Sequence, residues 1–131
     1  MENRSSIKET IEKYKRIYQN IRPTYSSAID EKIYFNMSGF NHLIFKKGHR
    51  RKNDVIYTRM VLIPLIKPVI KNCEEVTEIR KRTERIGNKD VKVVYRALEA
   101  RVGKSSTRVK VVTKRIGDKG KYYFQSIMKY N

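Results

Sequence analysis

A chain of 131 residues with 39% hydrophobic side chains, nine Tyr and four Phe is long enough to bury one core and too apolar to be disordered for want of one. Thirty-one Lys and Arg against thirteen Asp and Glu leave a formal charge of +18, a self-repulsion that a compact protein tolerates when its ligand is a polyanion. Nucleic acid is the expected partner, although general basicity spread over the whole chain would give the same count. A lone cysteine, Cys73, excludes an internal disulfide and a cysteine zinc cluster and points to a reducing compartment. No apolar run approaches the ~20 residues of a membrane span and Met1–Ser6 is no signal peptide, so a soluble cytoplasmic protein without a membrane partner is expected.

In chain order, Ile7, Ile11, Tyr14, Ile17 or Tyr18, and Ile21 recur at intervals of three and four, which predicts a helix over 6–22 with one apolar stripe. Ser6 and Glu9 have the spacing of a capping box, and Pro23 ends the helix by pushing Arg22 out of helical geometry. Residues 32–35 predict a short strand or an extended entry to the next helix. Ser38 is placed to cap a second helix carrying His42, with Gly48 as its natural end. Asn53 or Asp54 caps the next helix, which runs through Val55, Ile56, Arg59 and Met60 to about Asn72. Pro64 and Pro68 lack a backbone donor and either split it into two pieces or replace its first part with extended chain.

From Glu75 the texture changes to β-branched and aromatic residues punctuated by turn signals. Four strands are predicted, over 76–85, 91–102, 107–116 and 121–130, joined at Gly87–Asp90, Gly103–Ser106 and Gly117–Gly120. Short loops make neighbours antiparallel, since parallel neighbours need long crossovers. The expected fold is therefore α+β: a single domain over 1–131 whose helical half, about 1–73, packs on a four-stranded antiparallel meander, about 75–130. In the third strand Val109 and Val111 alternate with Arg108, Lys110 and Lys114, so one face is buried and the other basic. In the last strand Phe124, Ser126 and Met128 share one face and Tyr123, Gln125 and Ile127 the other, which leaves open which of the two is core.

Chemistry concentrates in Phe40–Lys52, which holds both histidines, His42 and His49, within a run of positive charge. Metal-free RNA cleavage needs a base for the 2′-hydroxyl proton, an acid for the leaving oxygen and cations for the charge on phosphorus, and histidine is the usual proton carrier at neutral pH. A packed helix residue is the structural alternative for His42, and a solvated loop residue for His49. Lys46, Lys47, Arg50, Arg51 and Lys52 form a patch that tracks phosphate even without catalysis. Tyr122, Tyr123 and Tyr95 are candidates for base stacking. Walker-type and dinucleotide glycine loops, paired carboxylates and a serine triad find no support. Ser126 stands out only as a small polar residue in an aromatic strand.

The apolar His-containing segment Phe40-Asn41-His42-Leu43-Ile44, the basic His49-Arg50, Arg59 followed by Leu62-Ile63-Pro64, the strand Arg108-Val109-Lys110-Val111-Val112 and the final Lys121-Tyr122-Tyr123-Phe124-Gln125-Ser126-Ile127-Met128 together resemble the phage-associated nucleases of the barnase, EndoU, colicin and RelE-like superfamily, over roughly 33–129. The resemblance implies a ribonuclease that needs no metal or other cofactor, encoded by a phage or mobile element, toxin-like, acting on tRNA or other translation-related RNA and paired with an antitoxin or immunity protein. It also implies functional roles for His42, the 46–50 region, Arg59, Arg108 and Ser126. The expected function is thus endoribonuclease by 2′-hydroxyl attack. His42 or His49 would handle protons, while Lys47, Arg51, Arg59 and Arg108 hold phosphate and Lys110 adds to the basic surface. The alternative is a non-catalytic RNA- or DNA-binding protein using the same charge.

Overall fold

The computed structural model describes residues 5–130, Ser5 by its backbone alone. Helix α1 spans Ser5–Gln19. It already contains Ser5, so Ser6 is an interior residue and not the boundary cap that its spacing to Glu9 predicts. Two short strands follow, β1 at Thr24–Ser26 and β2 at Glu31–Tyr34, turned through Asp30 at a positive φ of 62°. Helix α2 covers Met37–His42. Its cap is Asn36 rather than Ser38: Asn36 has extended backbone and its side-chain oxygen accepts from Gly39 N at 3.2 Å.

The helix ends at His42, well before Gly48. The chain instead forms a hairpin of β3, Phe45–Lys46, and β4, His49–Arg50. Lys47 and Gly48 at its tip have φ of 52° and 79°, the consecutive left-handed pair that a two-residue hairpin turn demands, so Gly48 serves a turn and not a helix end. Helix α3, Asn53–Met60, and helix α4, Ile66–Asn72, are separated by a 3₁₀ turn at Ile63–Leu65 that holds Pro64. The proline split predicted from the sequence is present.

Strands β5 (Glu78–Ile86), β6 (Lys89–Val102), β7 (Thr107–Ile116) and β8 (Tyr122–Lys129) pair as antiparallel neighbours in sequence order. They do not make up the whole sheet. Its order is β1-β2-β8-β7-β6-β5, six strands with β2 parallel to β8, so the expected four-stranded antiparallel sheet is corrected to a larger mixed one. The parallel pair is possible because the chain between β2 and β8 is long enough to cross over. The fold is α+β.

Helix α4 packs on β6 and β7, while α2 and α3 pack along β8. Ile56, Met60, Ile66 and Val69 meet Leu98, Val109, Val111 and Ile127 in a core where all eight are fully buried. One residue positions everything that follows. On the β7–β8 ladder Thr113 pairs with Phe124 and Val112 with Ser126, so Gln125 is an extra residue, a β-bulge. Simple alternation puts Phe124, Ser126 and Met128 on one face. The bulge divides them: Phe124 stays with Ile127 on the helix side, and Ser126 and Met128 turn to the other side with Val112 and Lys110.

Candidate functional site

The face of the sheet turned away from α4 carries a hollow of about 590 Å³. Its floor is a cross-strand row set by register, Glu78, Ala97, Val112 and Ser126, flanked by Arg80 and Tyr95 on one side and by Lys110 and Met128 on the other. Ala97 and Val112 keep that floor low and apolar. The wall rises from the segment beside β8: His42 from the end of α2, Lys46 and Lys47 from the hairpin, Arg51 just after it, and Arg59 from α3.

This wall can stand so close to the sheet because of Gly39. A Cβ there would collide with the Phe124 carbonyl oxygen and come within 2.9 Å of both the Phe124 ring and the Tyr18 hydroxyl. With only hydrogen in that place, α2 lies directly against β8 and its last residue, His42, overhangs the hollow. Tyr18 reinforces the arrangement by donating to Asn36 O at 2.7 Å and packing on Phe40 and Phe124. Arg51 closes the hairpin onto the helix, its Nε donating to the His42 carbonyl oxygen at 3.1 Å.

Arg59 joins wall to floor. Its Nη1 donates to Ser126 Oγ at 2.7 Å, and Ser126 is 4% exposed. Burial lowers the pKa of Arg59, as does Arg51 beside it, yet a guanidinium remains charged at any physiological pH. His42 is half-buried, and its pKa is depressed below the ordinary 6.5, first by desolvation and then by Arg51, Arg59, Lys114 and Lys46. At neutral pH it is an uncharged imidazole among cations.

The cations on the two sides of the hollow differ. On the sheet, Lys110 Nζ lies 3.3 Å from Glu78 Oε1 and Arg80 shares the same carboxylate at 3.3 Å; these contacts hold the Glu78 pKa below the usual carboxylate value. Glu84 is held low likewise, chiefly by the hydroxyl of Tyr95, and also pairs with Lys114 at 3.2 Å. On the wall, Lys46, Lys47, Arg51 and Arg59 have no carboxylate partner among the described residues. Four cations without a carboxylate partner among the described residues thus line the same hollow as the half-buried imidazole of His42.

Of the residues singled out in the sequence, His42, Lys46, Lys47, Arg51, Arg59, Lys110 and Ser126 converge on this hollow, and Tyr95 lines it. His49 lies across the hairpin from Lys46 but is exposed and outside. Arg50 turns to Asn53 Oδ1 at 2.7 Å, and Lys52 is the exposed N-cap residue of α3. Arg108 is on the same face of β7 as Lys110, beyond the rim and exposed. Tyr122 requires a correction: it is 1% exposed on the helix side and has no ring face to offer a base. Sequence reasoning passed over Arg80 and Arg82, which alternate with Glu78 along β5 in a two-residue period that marks a single charged face. Among the described residues no three or more His, Cys, Asp or Glu side chains gather in metal-binding geometry.

Comparison with protein families, with characterised proteins and with solved structures gives no significant match to this chain.

Proposed function

We propose that the protein is an endoribonuclease that cleaves by attack of the 2′-hydroxyl on the adjacent phosphate. The observation that carries this reading is the neutral His42 set among Arg51, Arg59, Lys46 and Lys47 at the mouth of a sheet-floored hollow. A base that titrates below neutrality and a cluster of unpaired cations are what cyclising cleavage of RNA requires.

In this mechanism the phosphodiester sits between Arg51 and Arg59, and its flanking base lies over Ala97 and Val112 against Tyr95. His42 takes the proton of the 2′-oxygen as that oxygen bonds to phosphorus. The bond to the 5′-oxygen breaks, and the departing oxygen takes a proton from the ammonium of Lys46 or Lys47, which solvent restores. The products are a 2′,3′-cyclic phosphate and a 5′-hydroxyl end, and the imidazolium returns its proton to water. Arg59, fixed by Ser126, stabilises the extra charge on the phosphoryl oxygens in the transition state. Ser126 acts here as a positioning residue. The choice of tRNA or other translation-related RNA as substrate, a toxin-like role and an antitoxin or immunity partner rest on the resemblance of the sequence alone.

The test is incubation of the purified chain with total RNA and with a defined single-stranded RNA, with and without chelator. Cleavage that persists in chelator, leaves cyclic phosphate ends and stops at a 2′-deoxy-substituted position is expected. Tight RNA binding without any cleavage would replace this reading with that of a non-catalytic binding protein.

A further inference from the structure

A second hollow, of about 360 Å³, lies at the end of the sheet where β5, β6 and β7 come together. Five cationic side chains line it, Lys81, Arg82, Lys92, Arg96 and Arg115, against the carboxylate of Asp118. By register Arg96 and Arg115 share the helix-side face of the sheet, and both guanidinium carbons approach the Tyr122 ring, at 5.5 and 5.0 Å from its centroid.

Hydrogen bonding distinguishes this cluster from a solvated basic patch. Arg96 Nε, Arg115 Nε and the Tyr122 hydroxyl are all buried and have no partner among the described residues. Tyr122 is 1% exposed, and Arg115 pairs with a carboxylate, that of Glu31, at 4.0 Å through Nη1, which leaves its Nε unpaired among the described residues. Buried donors left unpaired carry a desolvation cost, and two guanidiniums over one ring repel each other. An oxyanion in the hollow, held by Arg96 and Arg115 where they line it, offsets the repulsion between the two guanidiniums, and a guanidinium fork matches phosphate geometry.

The position of the cluster identifies the source of that phosphate. Arg82 lines both hollows, and Lys81 and Arg82 are adjacent on β5, a strand with one edge unpaired among the described residues. Arg82 on one face of β5 and Lys81 on the other thus give a polyanionic strand leaving the first hollow cationic contacts over the edge of β5. We infer that the second hollow, built on Arg96 and Arg115, is a phosphate site for the RNA strand whose scissile bond lies in the first; the inference rests on the ribonuclease reading for its ligand. It makes the enzyme read length: nucleotides on one side of the cut contribute binding that a minimal substrate lacks.

Two measurements test it. In the first, inorganic phosphate is titrated into the folded protein while the Arg Hε resonances of Arg96 and Arg115 are followed. Saturable shifts absent with chloride at equal ionic strength are expected; resonances that do not move overturn the site, whatever the first hollow does. In the second, the exposed pair Lys81→Ala/Lys92→Ala is compared with the parent on single-stranded RNAs of about four and about twelve nucleotides, both with 2′-deoxy residues at the cleaved position. Removing two ammonium groups that each neutralise a phosphate should lower the slope of log affinity on log salt by about 1.4 for the long strand. The short strand should bind the variant and the parent alike. An unchanged long-strand slope, or an equal weakening for both strands, overturns the inference. Failure of the parent to bind even the short strand would count instead against the ribonuclease reading and would leave the phosphate titration to judge the arginine pair as an anion site.

Discussion

Replacing His42 by alanine removes the imidazole while sparing the contact that ties this position to the hairpin, because Arg51 Nε donates to the main-chain oxygen of residue 42. The side chain is half-buried, so its truncation should change stability by no more than about 1 kcal/mol, a shift of melting temperature within about 5 °C. Cleavage should suffer far more. A positioned base contributes about 10² to 10⁴ in rate, which is about 2.7 to 5.4 kcal/mol of barrier. The pH profile identifies the group: with the pKa of His42 held below 6.5, kcat/KM of the parent should rise with unit slope at acid pH and bend over with its midpoint below 6.5, and the alanine variant should lack that inflection. Arg51→Ala should move the inflection upward toward 6.5, since a neighbouring cation is one cause of the depression. Stability follows the same proton. The unfolded chain binds it near 6.5 and the folded chain only at lower pH, so the contribution is fully present above 6.5 and is lost as pH falls through the folded value. Single-turnover rates, RNA affinities and melting curves on one preparation decide the matter. A folded His42→Ala protein that cuts at the parental rate, or a parental profile flat through the acid range, would refute the assignment of the base.

Gly39→Ala should lower stability by about 1–3 kcal/mol, read as a melting temperature about 5–15 °C lower, because the added carbon meets the Phe124 backbone and the Tyr18 hydroxyl; an unchanged melting curve would show that α2 can move off β8 freely. Ser126→Ala and Arg59→Ala should be non-additive in cleavage rate, with a coupling of about 0.5–3 kcal/mol across their 2.7 Å hydrogen bond, whereas strictly additive effects would separate the serine from the positioning of Arg59. RNA affinity should fall at least about tenfold between ~50 and ~200 mM salt as counterions are released, and a flat dependence would reject the polyanion ligand.

Much of the fold was written in local patterns. The apolar stripe of 7–18, the proline break at Pro64 and the turn glycines between long strands each act over a few residues, and helix, split and the four long strands follow from them. The short elements were less legible. Strands of two to four residues, such as β1, β3 and β4, show too few alternations to register, so residues 24–26 gave no sign of pairing with the short strand expected over 32–35, and Gly48 was as compatible with a helix end as with a hairpin tip.

The sequence by itself determined the charge, the α+β order and the identity of the histidines. Which of those histidines meets the basic face of the sheet was decided by tertiary structure, through two features that no residue pattern announces. The absence of a side chain at Gly39 lets α2 touch β8 and carries His42 over the hollow, leaving His49 on the exposed hairpin. The extra residue Gln125 reverses the alternation of β8, turning Ser126 toward Arg59 on α3 and leaving Phe124 in the core. Both depend on groups far apart in the chain coming into contact. Residues 59 and 126 can be paired only when a helix and a strand have packed, and packing is a property of the whole core rather than of either segment.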